Sequence, residues 1–366
     1  MAAPVRIEAA AERRAVVAEV ALLGVGNVGA AFLERIARRD EASPALRLVH
    51  VADSRRALSD DIAPADARQR LARVTSLPHA DPAVAFDGAY PAFVVDATGS
   101  DAVAARHADW LARGVHVVTA SKLGQGAALS RWRRIEAARR SARTHYGDSA
   151  TVGAGLPLLR SLRALRDGGD AISGIAGVLS GSMAWLFAQY DGRRPFSGFV
   201  RRARAAGYTE PDPREDLSGE DVRRKLLILA RAAGFALEVE EVEVESLVPR
   251  ELADVPLPAL DAALEVLDAP LRARFADAYR RGKRLCHVAR LAVVDGRVRA
   301  RVGLESLAPD DPLAAGQGTD NRVALRCGRY DAQPLVIQGP GAGADVTAAA
   351  LLDDVLAITR DDRRAG

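Results

Sequence analysis

The chain has 366 residues, and its hydrophobic content of 49% is enough to bury the cores of two packed domains. The formal net charge of +3 is small for this length. No run of basic residues is interleaved with aromatic ones, so no nucleic-acid partner is expected. The two cysteines, Cys286 and Cys327, are too few for a disulfide framework or for a zinc site built from several cysteines.

The ends of the chain and its hydropathy bear on localisation. No apolar run is long enough to span a bilayer, so no membrane partner is expected. Residues 1–15 are rich in alanine, arginine and glutamate, which indicates a flexible tail rather than a signal peptide. We therefore expect a cytoplasmic protein.

The first chemical motif is a glycine-rich turn between a predicted strand, residues 19–23, and a predicted helix. The turn reads Gly24-Val25-Gly26-Asn27-Val28-Gly29. In this context Gly24 allows the tight turn, Gly26 lets the backbone approach a pyrophosphate, and Gly29 lets the helix pack against the strand. The helix N-terminus at Asn27 and Val28 would face the anion. The alternative is a glycine turn that merely joins two elements.

A second predicted strand, residues 46–52, bears on the choice of cofactor because it ends at Asp53. An acid at that strand end usually accepts the ribose hydroxyls of NAD, whereas a nearby arginine suits the 2′-phosphate of NADP. The sequence offers both Asp53 and Arg55, so the preference between NAD(H) and NADP(H) stays open.

Two further apolar, β-branched runs, within residues 92–100 and 115–122, predict strands buried on both faces, with a helix over 102–113 between them. Thr98, Ser100 and Lys122 follow these runs, at the carboxyl edge where open α/β sheets bind ligands. His116 lies inside its strand and is predicted to be a packed core histidine.

The second half alternates strand and helix patterns around two glycine-rich loops. Residues 151–157 predict an irregular connection, and a second loop, residues 339–343, opens a helix predicted over 345–359. The other predicted elements are strands over 172–179, 237–247 and 333–338, helices over 183–189, 196–206 and 257–279, and a hairpin of 283–294 with 297–304.

The densest concentration of chemical groups lies in residues 207–225. Ser218 precedes Asp221 by three residues, a capping-box-like spacing that predicts a helix start. On that helix Asp221 and Lys225 are four residues apart and share a face. Such a pair can hold a cationic substrate and move a proton, although a solvated salt bridge is the simpler interpretation. The chain has only three lysines, Lys122, Lys225 and Lys283, and arginine cannot release a proton as lysine can.

Taken in order, these motifs resemble homoserine dehydrogenase over nearly the whole chain. The matching segments are residues 24–29, 94–98, 117–122, 151–157, 177–182, 207–225 and 339–347. The most specific block is Gly-Tyr-Thr-Glu-Pro-Asp-Pro followed by Asp-Leu-Ser-Gly and Asp-Val-x-x-Lys.

The resemblance implies a fold of class α/β, with a Rossmann-type doubly wound parallel sheet and an α+β substrate and dimerisation domain. We expect an NAD(P)-binding domain over residues 16–155, the second domain over 156–335, and a segment, 336–366, that returns to the nucleotide domain. The family's second-domain sheet commonly pairs with its twin, so a homodimer is expected.

The implied reaction is the NAD(P)-dependent interconversion of L-homoserine and L-aspartate 4-semialdehyde, in threonine and methionine biosynthesis. By the same resemblance Lys225 is the acid/base, Asp221 orients it and holds the substrate, and Lys122 lies between nicotinamide and substrate. The residues implied to bind the substrate are Gly207, Tyr208, Glu210, Asp216 and Asp221. Gly343 is implied to close over the cofactor.

The sequence departs from the family pattern at several points. Ser121 stands where many members have asparagine, and Ser149 stands where members often carry an acid that helps bind a monovalent cation. The backbone carbonyls of Val152, Ala154 and Leu156 could still hold a sodium ion. Neither an aspartokinase nor a regulatory domain is recognised, so feedback inhibition by threonine is expected to be absent or weak. Another oxidoreductase of a small amino or oxo acid, or a non-catalytic cofactor-binding paralogue, remain as alternatives.

Overall fold

The computed structural model describes residues 16–39, 45–75, 81–316 and 318–365, and the predicted tail, residues 1–15, lies outside them. In this part of the chain the first half contains the following strands and helices: β1 Val16–Leu23, α1 Asn27–Ala37, β2 Ala45–Ala52, β3 Ala57–Ile62, α2 Ala67–Ala72, β4 Ala92–Asp96, α3 Asp101–Ala105, α4 His107–Ala112, β5 His116–Thr119, α5 Leu129–Ala142 and β6 Tyr146–Gly147.

The second half continues the alternation and ends in a long helix. Its elements are α6 Leu158–Asp167, β7 Ile172–Val178, α7 Gly181–Gln189, α8 Phe196–Ala205, α9 Arg214–Leu217, α10 Glu220–Ala232, β8 Val242–Val244, α11 Arg250–Ala253, α12 Leu260–Ala263, α13 Asp268–Arg280, β9 Arg284–Val294, β10 Arg297–Leu307, β11 Asp320–Cys327, β12 Leu335–Pro340 and α14 Ala344–Ala365. None of the helices described here is long and apolar enough to cross a membrane.

The first sheet has the strand order β3-β2-β1-β4-β5-β6, and its pairs are parallel except for β3 against β2. One face packs against α1 and α14 through Phe32 and Leu351, and the other packs against α4 and α5 through Trp110 and Ile135. The predicted doubly wound sheet is therefore confirmed. Strand β3 was not predicted, because its exposed Ser59-Asp60-Asp61 centre breaks the apolar pattern.

The second sheet has the order β12-β11-β7-β9-β10-β8, and α6 and α10 cover one of its faces. The predicted hairpin forms with Arg297 opposite Val294. Its turn residues Asp295 and Gly296 have φ values of 50° and 72°, as a two-residue hairpin turn requires. The strand predicted over 237–247 is wrong except at β8, because Glu238 and Glu241 cap a 3₁₀ turn there. Strand β11 was not predicted, because residues 321–325 are all buried and the strand shows no alternation of buried and exposed positions.

The C-terminal segment divides between the two sheets. Strand β12 pairs with β11 in the second sheet, whereas α14 packs on the first through Ala348, Leu351 and Val355. The glycine loop 341–343 therefore passes from one half of the molecule to the other. Because β12 lies in the second sheet, the return to the nucleotide domain begins after residue 340, later than the predicted 336.

The start of α10 differs from the prediction by one residue. Gly219, with φ +77°, precedes the first helical residue, and no side chain caps the helix. Ser218 therefore marks the helix start as predicted but does not occupy the N-cap position: its hydroxyl donates to the carbonyl of Glu215 at 2.8 Å and accepts from the amide of Glu220, the first residue of α10, at 3.3 Å. A left-handed residue is needed for the chain to turn directly from α9 into α10. This turn places Asp221 and Lys225 at the start of a buried helix.

Candidate active site

A cleft of about 800 Å³ lies between the carboxyl edge of the first sheet and the start of α10. Its walls come from both halves of the chain. The predicted site residues that line it are Asn27, Val28, Lys122, Ala154, Glu210, Asp216, Asp221, Lys225 and Gly343. Residues far apart in the sequence therefore share one solvent-accessible space.

A carboxylate between two amines forms the centre of this cleft. Lys225 Nζ lies 2.8 Å from Asp221 Oδ2, and Lys122 Nζ lies 3.3 Å from the other oxygen, Oδ1. The Lys225 side chain is 13% exposed and that of Lys122 is 32% exposed. Helical spacing predicts the first contact, but the second depends on how the two halves of the chain pack.

The charge state of Asp221 follows from its neighbours. Burial alone would raise the pKa of this carboxyl, but the positive charges of Lys225 and Lys122 outweigh burial and lower the pKa to about 2. Asp221 is therefore a carboxylate at neutral pH and holds the two amines on either side of it.

Lys225 is fixed by a second contact, with the backbone that follows β7. Its Nζ donates to the carbonyl of Leu179 at 2.8 Å, at the point where β7 ends. A lysine ammonium has three N–H donors. Leu179 and Asp221 use two of them, which leaves the third for a ligand in the cleft.

A chain of hydrogen bonds connects α7 to the loop before α9. The Ser180 and Ser182 hydroxyls are 2.9 Å apart, and Ser182 donates to Asp216 Oδ1 at 2.6 Å. The other oxygen of Asp216 accepts from the Glu210 amide at 2.9 Å. Asp216 thus shapes the 207–216 loop. The two serines follow β7 directly, but the sequence alone gave no reason to assign them this role.

The electrostatics of the loop favour a bound cation. The side chains of Glu210, Glu215 and Asp216 all line the cleft beside Asp221. Burial, followed by repulsion from Asp216, Glu215 and Asp221, raises the pKa of Glu210, against a smaller attraction from Lys122. A positively charged ligand group would relieve this repulsion.

The glycine turn after β1 has the form of a phosphate cradle. A Cβ on Gly29 would lie 1.9 Å from the Gly24 carbonyl oxygen, and Gly24 itself has φ +91°. A Cβ on Gly26, by contrast, would meet no atom of the described chain within 4 Å. Helix α1 starts at Asn27 without a side-chain cap. The space at Gly26 and the uncapped helix start therefore fit a dinucleotide pyrophosphate.

The acid at the end of β2 is already engaged by its own turn. Asp53 Oδ1 accepts from the amides of Arg55 and Arg56 at 2.8 and 2.7 Å. Asp53 Oδ2 accepts from Nε and a terminal nitrogen of Arg56 at 3.1 and 2.8 Å. A carboxylate has about four acceptor positions, and Arg56 and this turn occupy all four. Arg55 itself is exposed.

Thr98 and Ser100 lie at the carboxyl edge of the first sheet, where their hydroxyl groups form hydrogen bonds within the chain. Thr98 donates to Asp96 Oδ1 at 2.7 Å, and Ser100 accepts from the Val103 amide of α3 at 3.4 Å. The buried Asp96 also contacts His107 Nε2 at 3.0 Å, and His107 Nδ1 lies 2.9 Å from the Tyr146 hydroxyl. This buried network was not predicted, because it joins three separate elements.

Gly207 and Tyr208 are not among the cleft's lining residues. Gly207 ends α8 with φ +71°, and the exposed Tyr208 ring packs against Trp185 with centroids 5.3 Å apart. Their predicted contact with the substrate stays a prediction. His116 is buried in β5, as predicted.

The loop that carries the three candidate cation-binding carbonyls lies beside two acids that are already paired. Asp148 forms an ion pair with Arg163, and the Ser149 hydroxyl donates to Asp354 Oδ1 at 2.7 Å. The Leu156 carbonyl accepts from the Leu158 amide at 2.8 Å. Among the described residues no group of three or more histidine, cysteine or acidic side chains could hold a metal. The carboxyl groups of Asp148 and Asp354 beside this loop therefore each have a partner already.

A Rossmann-type sheet whose carboxyl edge faces a lysine–carboxylate cleft defines the class, which is that of dinucleotide-dependent oxidoreductases. The model for homoserine dehydrogenase, NAD binding domain, matches residues 24–147, and the model for homoserine dehydrogenase matches residues 157–356. This chain belongs to the homoserine dehydrogenase family, whose members are NAD(P)-dependent oxidoreductases.

Individual relatives agree with the family models. Homoserine dehydrogenase of Emericella nidulans is 34% identical over 358 residues, which cover 92% of this chain and 97% of that protein. The bifunctional aspartokinase/homoserine dehydrogenase 2 of Escherichia coli is 39% identical over 91% of this chain, which spans only 42% of that relative's length. A solved structure of a Candida auris protein of unknown function has a TM-score of 0.87 and 32% identity, covering 95% of this chain and 99% of that one.

Proposed function

We propose that this chain catalyses the reversible NAD(P)-dependent interconversion of L-homoserine and L-aspartate 4-semialdehyde, with Lys225 as the acid/base. The observation that carries the proposal is the Lys225–Asp221–Lys122 cluster in a cleft beside the glycine turn. Family membership supplies the substrate class, and the cleft supplies the groups that the reaction needs.

Hydride transfer to or from the substrate carbon is the chemistry that the nicotinamide supplies when it is bound. The protein must then hold the carbon in place and move one proton. Two donors of Lys225 are held by Leu179 and Asp221, so one N–H remains for a ligand position in the cleft. At that position it would donate to the aldehyde oxygen, or the neutral amine would accept the alcohol proton.

Lys122 has a positioning role in this proposal. Its Nζ shares the Asp221 carboxylate with Lys225, and it follows β5 directly, at the edge where the nicotinamide is expected. It would therefore hold the substrate oxygen or carbonyl between the dinucleotide and Lys225.

The amino group of the substrate would bind at the acidic loop. Glu210 lines the cleft and is repelled by Asp216 and Asp221, so a substrate ammonium beside it would be attracted by all three. Asp216 would act by holding the Glu210 backbone. Gly207 and Tyr208 would reach the substrate through a movement of the 207–210 loop towards the cleft on binding.

The dinucleotide would be held by Gly24, Gly26, Asn27, Val28 and Gly29, with Gly343 on the opposite wall and Thr98 and Ser100 at the strand edge. We further propose a preference for NADP(H) over NAD(H). The Asp53 carboxylate has no acceptor position left for ribose hydroxyls, whereas the Arg55 guanidinium is available to a 2′-phosphate.

We also propose a bound sodium ion and a homodimer, and no catalytic step depends on either. A sodium ion would be bound by the carbonyls of Val152, Ala154 and Leu156, without a carboxylate ligand. A homodimer would form through the sheet of the second domain.

The experiment that tests the proposed reaction is the rate of nicotinamide reduction with L-homoserine and either NADP⁺ or NAD⁺, with several other small hydroxy amino acids as controls. We expect turnover with homoserine and a higher kcat/KM with NADP⁺. Turnover only with a different amino acid would support another oxidoreductase of this class. No turnover with any of them, by protein whose folding is verified, would support a non-catalytic paralogue.

A further inference from the structure

A second cavity, of about 560 Å³, lies where α5, α6 and the C-terminal end of α10 meet. We refer to it as the rear cavity. Both halves of the chain contribute to its walls, and none of its lining residues is shared with the cleft. Its lining residues include Gln125, Trp132, Glu136, Asp167 and a group of five arginines, Arg139, Arg140, Arg163, Arg166 and Arg231.

The rear cavity carries an excess of positive charge. Glu136 pairs with Arg139 and Arg140, Asp148 pairs with Arg163, and Asp167 pairs with Arg166. Five guanidinium groups therefore face three carboxylates. Some of these arginines lie in the last turns of α5, α6 and α10, where the helix dipole favours a cation. The helix dipole explains an arginine at each helix end, but it does not explain why the three helix ends enclose one cavity.

Arg231 is the one of these five arginines that forms no ion pair with a described carboxylate, although the more distant charge of Glu238 attracts it. It is only 1% exposed, and no carboxylate among the described residues lies within ion-pair distance of it. Its guanidinium instead donates to the carbonyls of Gln125, Ala127 and Leu237, and its Nε has no hydrogen-bond partner. Burial lowers the pKa of Arg231 to about 10. A buried, unpaired charge is costly and is normally compensated.

The walls of the rear cavity supply an exposed hydrogen-bond donor, the Arg140 guanidinium, and an aromatic ring, that of Trp132. The Arg140 side chain is 70% exposed and lies a loose 3.5 Å from Glu136, so its guanidinium is available to a ligand. The Trp132 ring lies 6.0 Å from the Arg231 guanidinium carbon. A ligand that entered would therefore change the environment of this indole.

We propose that the rear cavity is a binding site for a small oxyanion that carries two or more negative charges, such as a phosphate or a polycarboxylate. Arginine forks match the oxygen geometry of both kinds of anion. The ligand would supply the negative charge that Arg231 lacks, with Arg140 as its contact at the surface. The proposal does not depend on the proposed reaction.

The location connects this site to the cleft. Arg231 holds the carbonyls of Gln125 and Ala127, and the amide between them, that of Gly126, donates to the Lys122 carbonyl at 2.7 Å. The same arginine would therefore contact both the anion and the short segment that carries Lys122.

The test is calorimetric titration of the full chain with inorganic phosphate, pyrophosphate and citrate at constant ionic strength, with and without saturating NADP⁺. Phosphate and pyrophosphate binding without citrate binding would identify phosphate chemistry, and citrate binding would identify polycarboxylate chemistry. In either case we expect Arg140→Gln to weaken affinity by about tenfold or more, because a charge-assisted contact is lost. Arg134→Gln, at a residue of the same helix with a 64% exposed side chain, should bind like the parent.

Fluorescence provides a second readout. The anion should change the indole emission of the parent protein, and Trp132→Phe should lose that change while still binding. The proposal is overturned if none of the three anions binds saturably, if NADP⁺ abolishes all binding, or if Arg140→Gln and Arg134→Gln bind equally well. The second result would place the anion in the dinucleotide site.

Discussion

Asp221 on α10 lies 3.3 Å from Lys122, which follows β5 in the other half of the chain. This contact joins the predicted cofactor edge to the proposed substrate residues, because the opposite oxygen of Asp221 contacts Lys225. One carboxylate with a pKa of about 2 therefore keeps two amines side by side in the same cleft.

The glycine turn offers a matched pair of substitutions. A Cβ at Gly26 meets open space, whereas a Cβ at Gly29 would lie 1.9 Å from a backbone oxygen. We expect Gly26→Ala to keep the melting temperature within a few degrees and to weaken dinucleotide binding markedly. Gly29→Ala should lower the melting temperature or prevent folding. Thermal denaturation and NADPH fluorescence titration measure the two effects, and equal melting temperatures for the two variants would contradict this assignment of the turn.

Cofactor preference depends on the turn after β2. Because all acceptor positions of Asp53 are occupied, Arg55→Gln should raise the Kd for NADPH about 10- to 100-fold, the cost of a lost charge-assisted contact. Binding of NADH should change little and serves as the internal control. An equal loss of affinity for NADPH and NADH, or no loss of affinity for either, would argue against recognition of a 2′-phosphate by Arg55.

The substrate ammonium is proposed to lie beside Glu210. Glu210→Gln keeps the size of the side chain but removes the charge, so we expect KM for homoserine to rise about 10- to 100-fold with a smaller change in kcat. Glu240→Gln, a change at an exposed glutamate outside the cleft, is the matched control. An unchanged KM in the Glu210 variant would rule out this contact.

The buried carboxyl of Asp354 should make stability depend on pH. Burial raises its pKa to about 6, although two hydrogen bonds from Ser149 oppose this, and an unfolded aspartate titrates near 3.9. The native state thus binds this proton more tightly than the unfolded state does. The stabilisation that protonated Asp354 contributes is therefore complete below about pH 4 and is lost as the pH rises through 6. The loss is bounded by about 3 kcal/mol.

The corresponding measurement compares the melting temperatures of Asp354→Asn and the parent chain from pH 4 to pH 7. The melting temperature of the variant should rise relative to that of the parent as the pH rises. Buried His116 and His287, whose pKa values burial lowers to about 4, are present in both proteins and cancel in the difference. A constant offset across this range would show that Asp354 does not titrate there.

Local patterns in the sequence were sufficient for the elements whose signals lie within a few residues of one another. The strand, glycine turn and helix around Gly24 and the shared face of Asp221 and Lys225 are both of this kind. The Lys122–Asp221 contact and the Asp96–His107 pair could not be predicted, because each depends on packing between distant segments.

Backbone geometry accounts for the remaining differences at the site. Gly219 starts α10 because the turn out of α9 needs a positive φ, a requirement that the Ser218 spacing does not express. The engagement of Asp53 by Arg56 was likewise hidden, since the sequence presents both charges without showing that they neutralise each other.

Proton transfer by Lys225 is the central step of the proposed reaction, and its most direct test is kcat for homoserine oxidation by Lys225→Arg. Arginine keeps the positive charge but cannot release a proton, so kcat should fall about 10²- to 10⁴-fold, with a normal melting temperature and NADPH binding. Lys283→Arg, the same change at the lysine outside the cleft, should retain parental kcat. A Lys225→Arg variant that turns over homoserine at the parental rate would contradict the account.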